Sequence, residues 1–154
     1  ENPERVRAML QSANVKLLEN SSQRIPLPGQ TLVLSGVGDY WSEACQPKGL
    51  LRPLAARSKP SGETTILLCH NPDAKELLKG YDWDLMLSGH THGGQFKIPF
   101  IDYAPFAPVM DRSMTEGLHQ WEGRQIHVTR GVGNLYGIRL NCRPEISLLA
   151  LVST

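Results

Sequence analysis

The sequence is short of the features that would place it quickly. It has only three cysteines, Cys45, Cys69 and Cys142, with no C-x-x-C pair and no zinc-ribbon spacing. That argues against a disulfide framework, and an odd number of thiols suits a reducing compartment better. Each cysteine reads as a small core residue. No apolar run approaches the roughly 20 residues of a membrane helix, and no signal peptide is visible. Charge of one sign is not in excess. The formal net charge is +1, with Lys and Arg scattered, so electrostatics gives no case for nucleic acid or an anionic surface, and no nucleic-acid partner is expected. Internal repeats, low-complexity tracts and a visible domain boundary are also lacking.

What remains is ordinary globular composition. The 154 residues, 40% apolar and 20% charged, suffice for one domain with a proper core. "NPERVRAMLQSA" reads as a helix, with Asn2 as N-cap, Pro3 at the first helical position and Glu4 at the positive dipole end. "VKLLEN" and "TLVLSGV" read as strands, with Pro26, Pro28 and Gly29 marking a turn between them. "KGLLRPLAAR" reads as a short helix interrupted at Pro53, and "SKPSGE" as a loop. "TTILLCH" and "WDLMLS" are consecutive apolar runs, the composition of strands covered on both faces in a layered α/β fold. Between them "NPDAKELLKG" carries Asn71 as cap, Pro72 as first helical residue and Gly80 as stop. Residues 93–116 form a long aromatic and Pro-containing loop without clean periodicity. "GLHQWEGRQIHVTRG" reads as a hairpin turning at Glu122-Gly123, with Ile126 and Val128 on one face and His119 and His127 facing solvent. "PEISLLALV" reads as a last strand.

The chemistry concentrates where strands end. Both apolar strands run into a histidine, His70 and His90, and "GHTHGG" adds His92 two residues later. In open α/β sheets, ligands bind at the strand ends and the loops that leave them. Neutral imidazole is the commonest nitrogen ligand for zinc, manganese and iron. Adjacent strands would bring His70, His90 and His92 to one rim, and Gly89, Gly93 and Gly94 would leave room beside them. An isolated H-x-H is more often a surface or hydrogen-bonded pair. The strand-Gly-His-x-His-Gly-Gly context and the second strand ending in His weigh against that. Asp39 is read as a turn aspartate and Asn71 as a helix cap. "GVGNLYG" has the wrong glycine spacing for a dinucleotide fingerprint, and Trp41, Trp83 and Trp121 read as core.

"LLCHNPD" followed by "DLMLSGHTHGGQ", with the closing "GVGNLYGIRLNCRPEISLLAL", resembles the calcineurin-like metallophosphoesterases, in the YaeI/YkuE-type bacterial branch. The resemblance runs from about Thr31 to the end. It implies a four-layer α/β/β/α sandwich and a metal-dependent phosphodiesterase with two divalent ions (Mn, Zn, Fe or Ni). By motif matching, His70 and His90 would bind one ion and His92 the other. Such ions lie about 3.5–4 Å apart, and a bridging hydroxide would attack phosphorus in line. Some members of the branch cleave the pyrophosphate of a lipid A precursor. The substrate the resemblance implies is a small-molecule or lipid-linked phosphodiester. The aromatics Phe96, Phe100, Tyr103 and Phe106 follow the ligands on the long loop and could receive an apolar group, although plain loop packing is the commoner role of such residues.

The sequence departs from the family pattern upstream. It has no Asp-x-His and no Asn-His, and its only Gly-Asp, Gly38-Asp39, is out of order. Three imidazoles bring no negative charge to offset two divalent cations. Residues 1–154 are accordingly expected to be the C-terminal portion of a single metallophosphoesterase domain, inactive alone and with no catalytic side chain of its own assigned. A missing N-terminal fragment or another copy would supply the rest. The alternative is a non-catalytic metal-binding domain using the same three histidines. The compartment is left open, with a cytoplasmic or membrane-associated bacterial protein favoured.

Overall fold

In a computed structural model, residues 2–55, 59–101 and 103–152 are described. They build a six-stranded sheet: β1 (Ser21–Leu27), β2 (Gln30–Gly36), β3 (Glu63–Leu68), β4 (Leu85–Ser88), β5 (Gly117–Trp121) and β6 (Arg124–Val128). The spatial order is β1-β2-β3-β4-β6-β5. Strands β2, β3, β4 and β6 are parallel, and an antiparallel strand closes each edge. Helix α1 (Pro3–Ser12) precedes the sheet, and a 3-10 turn (Pro72–Ala74) leads into α2 (Lys75–Leu78) between β3 and β4. The fold is α/β, as the buried-type apolar runs required. The described strands belong to one sheet.

Period-two alternation divides the sheet's side chains. On one face Leu67, Cys69, Met86, Ile126 and Val128 meet Ala74, Leu78, Trp83 and Met114 in the main core. On the other face stand Leu32, Leu34, Ile66, Leu85 and His127. No helix is long and apolar enough to cross a membrane among the described residues.

The caps behave as their residue types dictate. Asn2 accepts from Glu4 and Arg5 N–H at the start of α1. Asn71 accepts from Asp73 N–H at 2.9 Å, so its cap role holds. The hairpin β5–β6 turns through Glu122 and Gly123, both left-handed, as a type I′ turn requires. Its register pairs His119 with Ile126 and Leu118 with His127. His119 therefore lies on the core face and its Nε2–H donates to Glu116 O (2.7 Å), while His127 is buried on the opposite face. The expectation that both face solvent is wrong: His119 shares the core face with Ile126, and neighbours cover both faces of β6 around His127.

Three other readings change. "VKLLEN" is not a strand; β1 begins at Ser21 and contains Pro26. An edge strand tolerates Pro because the missing N–H costs no ladder bond. Residues 48–55 form turns and isolated bridges, Lys48 to Leu51 and Pro53 to Tyr81, rather than a helix; the end of that expected helix, and Ser58 of the next loop, lie outside the described residues. "PEISLLALV" carries no ladder through residue 152. It lies over the second face, where Leu149 and Leu151 border the sheet.

The long loop is tied to α2 by charge. The buried Lys75 ammonium meets Asp111 at 2.5 Å. The bond from Lys75, with help from Ser113, holds the Asp111 carboxyl down at about 2. A depressed carboxylate stabilises the fold above its unfolded value near 4 and loses that contribution as pH falls towards 2. The Asp111 side chain stays 41% exposed, and solvent screening reduces its worth to about 1 kcal/mol. Asp111→Asn should cost about that much at neutral pH and flatten the acid limb between about pH 4 and pH 2. Urea melts across a pH series check this; an unchanged acid limb contradicts it.

Candidate metal centre

Parallel pairing brings the histidines together. Leu68 lies beside Leu87 in the β3–β4 register, and beyond the ladder Gly89 N–H donates to His70 O at 3.0 Å. The two strands thus deliver His70 and His90 to the same rim. Their ring centroids lie 5.3 Å apart at 76°. His92 follows through Thr91, and all three rings line one cleft of about 660 Å³. His127 lines it too, which its assignment to solvent had hidden. His90 and His92 both adopt left-handed backbone, φ 65° and 51°, a conformation that costs a non-glycine residue roughly 1–2 kcal/mol. Functional sites are where such strain collects.

The protonation of the rings follows from their partners. Leu135 N–H can only donate, so the Gln95 atom facing it is Oε1. That same Oε1 lies 3.0 Å from His92 Nδ1. His92 must therefore donate from Nδ1, which leaves the Nε2 lone pair bare. His90 Nε2 lies 3.1 Å from the Pro108 carbonyl; it donates there and leaves Nδ1 bare. Burial pushes the His70 imidazole below its ordinary value; the His90 ring adds to this, and Asp39 pulls the other way. A ring kept neutral in this way keeps a lone pair for a ligand.

This donor set suits a divalent cation in its chemistry. Metal-ligating imidazoles usually donate the second ring N–H to an oxygen, and His90 and His92 each do so. Two imidazoles sharing a tetrahedral zinc would have centroids roughly 5 Å apart, given Zn–N near 2.1 Å, which the His70–His90 separation matches. The shell is not closed, however. Among the described residues no group of three or more His, Cys, Asp or Glu could hold an ion. Asp39 receives Ser42 N–H at 2.9 Å, and no carboxylate of the described residues lines the cleft.

Some neighbours gave no local sequence signal. Trp41 is exposed and sets its ring edge-on to His90, centroids 4.4 Å apart, rather than joining the core as Trp83 does. Arg130, at the cleft, is paired with Glu145 at 2.6 Å and Glu116 at 3.6 Å. Gln95 and Arg139 act on His92 from 3 and 47 positions away. The cysteines are free, with Cys69 and Cys142 buried; burial pushes the Cys69 thiol up to about 12.

The α/β sheet with a histidine rim at adjacent parallel strand ends is the architecture of a metallophosphoesterase, and sequence comparison places the chain in that family, with the YaeI/YkuE-type proteins. It is 45% identical over 143 residues to Phosphodiesterase YaeI of Escherichia coli, covering 93% of this chain and 50% of that protein. It is 42% identical over 92 residues to the uncharacterized metallophosphoesterase YkuE of Bacillus subtilis, covering 58% of this chain and 32% of that one. It is 30% identical over 149 residues to the UDP-2,3-diacylglucosamine pyrophosphatase LpxG of Chlamydia trachomatis, covering 92% of this chain and 43% of that protein. The chain spans about half the length of the curated relatives it matches. No family model matches, and no solved structure matches.

Proposed function

We propose that this chain carries the histidine rim of a metal-dependent phosphodiesterase, with His70, His90 and His92 as ligands to two divalent ions. The observation that carries this reading is the arrangement of the rings: one cleft, with the His90 and His92 tautomers fixed by oxygen acceptors. Divalent ions held there would supply Lewis-acid charge to a phosphoryl group. The chain's own part is to keep His70 neutral, to aim the bare nitrogens of His90 and His92, and to neutralise Arg130 with Glu145 and Glu116.

The rest of the ion shell, including its carboxylates, would come from outside these residues. That accords with a chain that spans half of its relatives and with a cleft that no acidic side chain of the described residues lines. Residues 1–154 would then be the C-terminal portion of one domain and inactive alone. A missing N-terminal fragment or a second copy would complete the layers and the site. The reading with one ion shared by all three histidines gains no support, since the three do not form one ion-holding group. A lipid-linked phosphodiester is the proposed substrate class. Phe100 and Phe106 stand exposed on the loop whose Pro108 carbonyl holds His90, and one relative is named for a diacylated sugar nucleotide.

The test compares residues 1–154 with the full-length parent on bis(p-nitrophenyl) phosphate with Mn²⁺. The parent is expected to turn over and the chain alone not to. His90→Ala in the parent should lower kcat/KM by roughly 100-fold or more, since even outer partners of ligands cost 10–100-fold. Turnover by residues 1–154 at the parent's rate would sink the proposal that the shell is shared.

A further inference from the structure

Arg139 lies outside the histidine motifs, yet its guanidinium gathers the backbone around His92. Nη1 donates to His92 O at 3.1 Å and to Cys142 O at 3.5 Å. Nη2 donates to Arg130 O at 2.8 Å, to Gly131 O at 3.2 Å and to Gly133 O. Three chain segments meet on one planar cation: the turn that carries His92, the loop leaving β6, and the approach to Cys142. A guanidinium can do this because its donors form a rigid fork that keeps its charge. His92 O also receives Gln95 N–H at 3.2 Å and the Cys142 thiol at 3.2 Å.

We propose that Arg139 is the positioning residue of His92. It pins the left-handed backbone of His92 to the loop 130–133. It thereby holds in register the next residues of that loop, where Leu135 N–H orients the Gln95 amide and so fixes which His92 nitrogen is bare. Leu140 N–H, one residue beyond Arg139, donates to Gln95 O at 2.8 Å and ties the same parts from the other side. Arg139 touches no substrate; it acts through His92. As a statement about metal binding it rests on the phosphodiesterase reading, but its geometry does not.

The experiment uses residues 1–154 as Arg139→Met and Arg139→Lys, with Arg124→Met as a control that removes an arginine from the Trp83 side of the core. Long-range ¹⁵N–¹H correlation spectra, recorded at about pH 8 where an ordinary imidazole is neutral, report the tautomer of each ring. Wild type should show His92 protonated at Nδ1 and His90 at Nε2. Both Arg139 variants should show averaged His92 nitrogen shifts with His90 unchanged; a lysine ammonium cannot span the same set of carbonyls. Arg124→Met should leave His92 alone. Zn²⁺ titration of the full-length parent should weaken by roughly 10-fold or more in the Arg139 variants. If His92 loses its tautomer but the wild-type parent binds no Zn²⁺, the positioning role stands and the metal reading fails. If Arg139→Met does not fold, Arg139→Lys decides. A folded Arg139→Lys in which His92 keeps its Nδ1 proton overturns the proposal.

Discussion

Trp83→Ala should lower the unfolding free energy by about 3–5 kcal/mol, the range for deleting a buried tryptophan. Trp83 is 1% exposed. Its indole N–H donates to Leu78 O at 3.0 Å and closes the end of α2. Its ring stacks on Trp121, centroids 5.9 Å apart and planes within 7°, and the Arg124 guanidinium lies 4.7 Å from it and 5.8 Å from Trp121. Truncation removes the apolar area, takes one of two donors from the Leu78 carbonyl, which keeps Tyr81 N–H at 3.1 Å, and takes a π-face from a buried cation. A domain of this size holds only about 5–15 kcal/mol in all, so the midpoint of a thermal melt should fall by roughly 10 °C or more. Trp83→Phe keeps a ring and should recover much of the loss. Guanidinium melts of the three proteins measure it. A loss under 1 kcal/mol for alanine would mean that the stack, and with it the packing of α2 on the sheet, is not as described.

How far the sequence disclosed this arrangement depends on the range of the contact. The apolar runs of β3 and β4 were legible because both faces of those strands are covered, so composition alone marks them. The tight turn at Glu122-Gly123 was legible because its φ values restrict residue choice. The phase of the hairpin was half legible. Ile126 and Val128 were placed together, but nothing local says that the other face, carrying His127, is also covered. β1 was missed because Val15, Leu17 and Leu18 look more strand-like than "SSQRIPL", and because Pro26 reads as a breaker when the strand's edge position is unknown. The stretch 144–152 has strand composition, but pairing requires a partner, and β-propensity does not supply one.

The site divides in the same way. His70, His90 and His92 stood out because motif and strand ends coincide. Gln95, Arg139 and Leu135 did not, since their effect on His92 passes through backbone carbonyls and an amide orientation that exist only in three dimensions. Local pattern proposes ligands; the groups that aim them are found by asking where each ring N–H and each left-handed carbonyl is satisfied.

Gly93→Ala should be nearly as damaging as the loss of Trp83, and it should act on the site as well. Gly93 has φ 63°, and a Cβ there would lie 2.5 Å from Cys142 Sγ and 2.6 Å from Arg130 Cγ. Backbone conformation alone costs about 1 kcal/mol, and overpacking adds roughly 1–3 kcal/mol. Gly123→Ala separates the two contributions: its φ is 78° and nothing lies within 4 Å of the added carbon, so it should show only the smaller, backbone loss. Cys142 is the atom that must move, and its thiol donates to His92 O at 3.2 Å and Gly93 O at 3.3 Å. Displacing it disturbs the carbonyl that Arg139 also holds, so the Zn²⁺ affinity of the full-length parent should fall by roughly 10-fold or more in Gly93→Ala and stay unchanged in Gly123→Ala. Adding Cys142→Ala to Gly93→Ala should return part of the stability by relieving the contact, a coupling that denaturant melts of the double-mutant cycle read directly. Equal losses for Gly93→Ala and Gly123→Ala would show that the turn carrying His92 has room to spare, and that its closeness to Cys142 and Arg130 does not set the position of the ring.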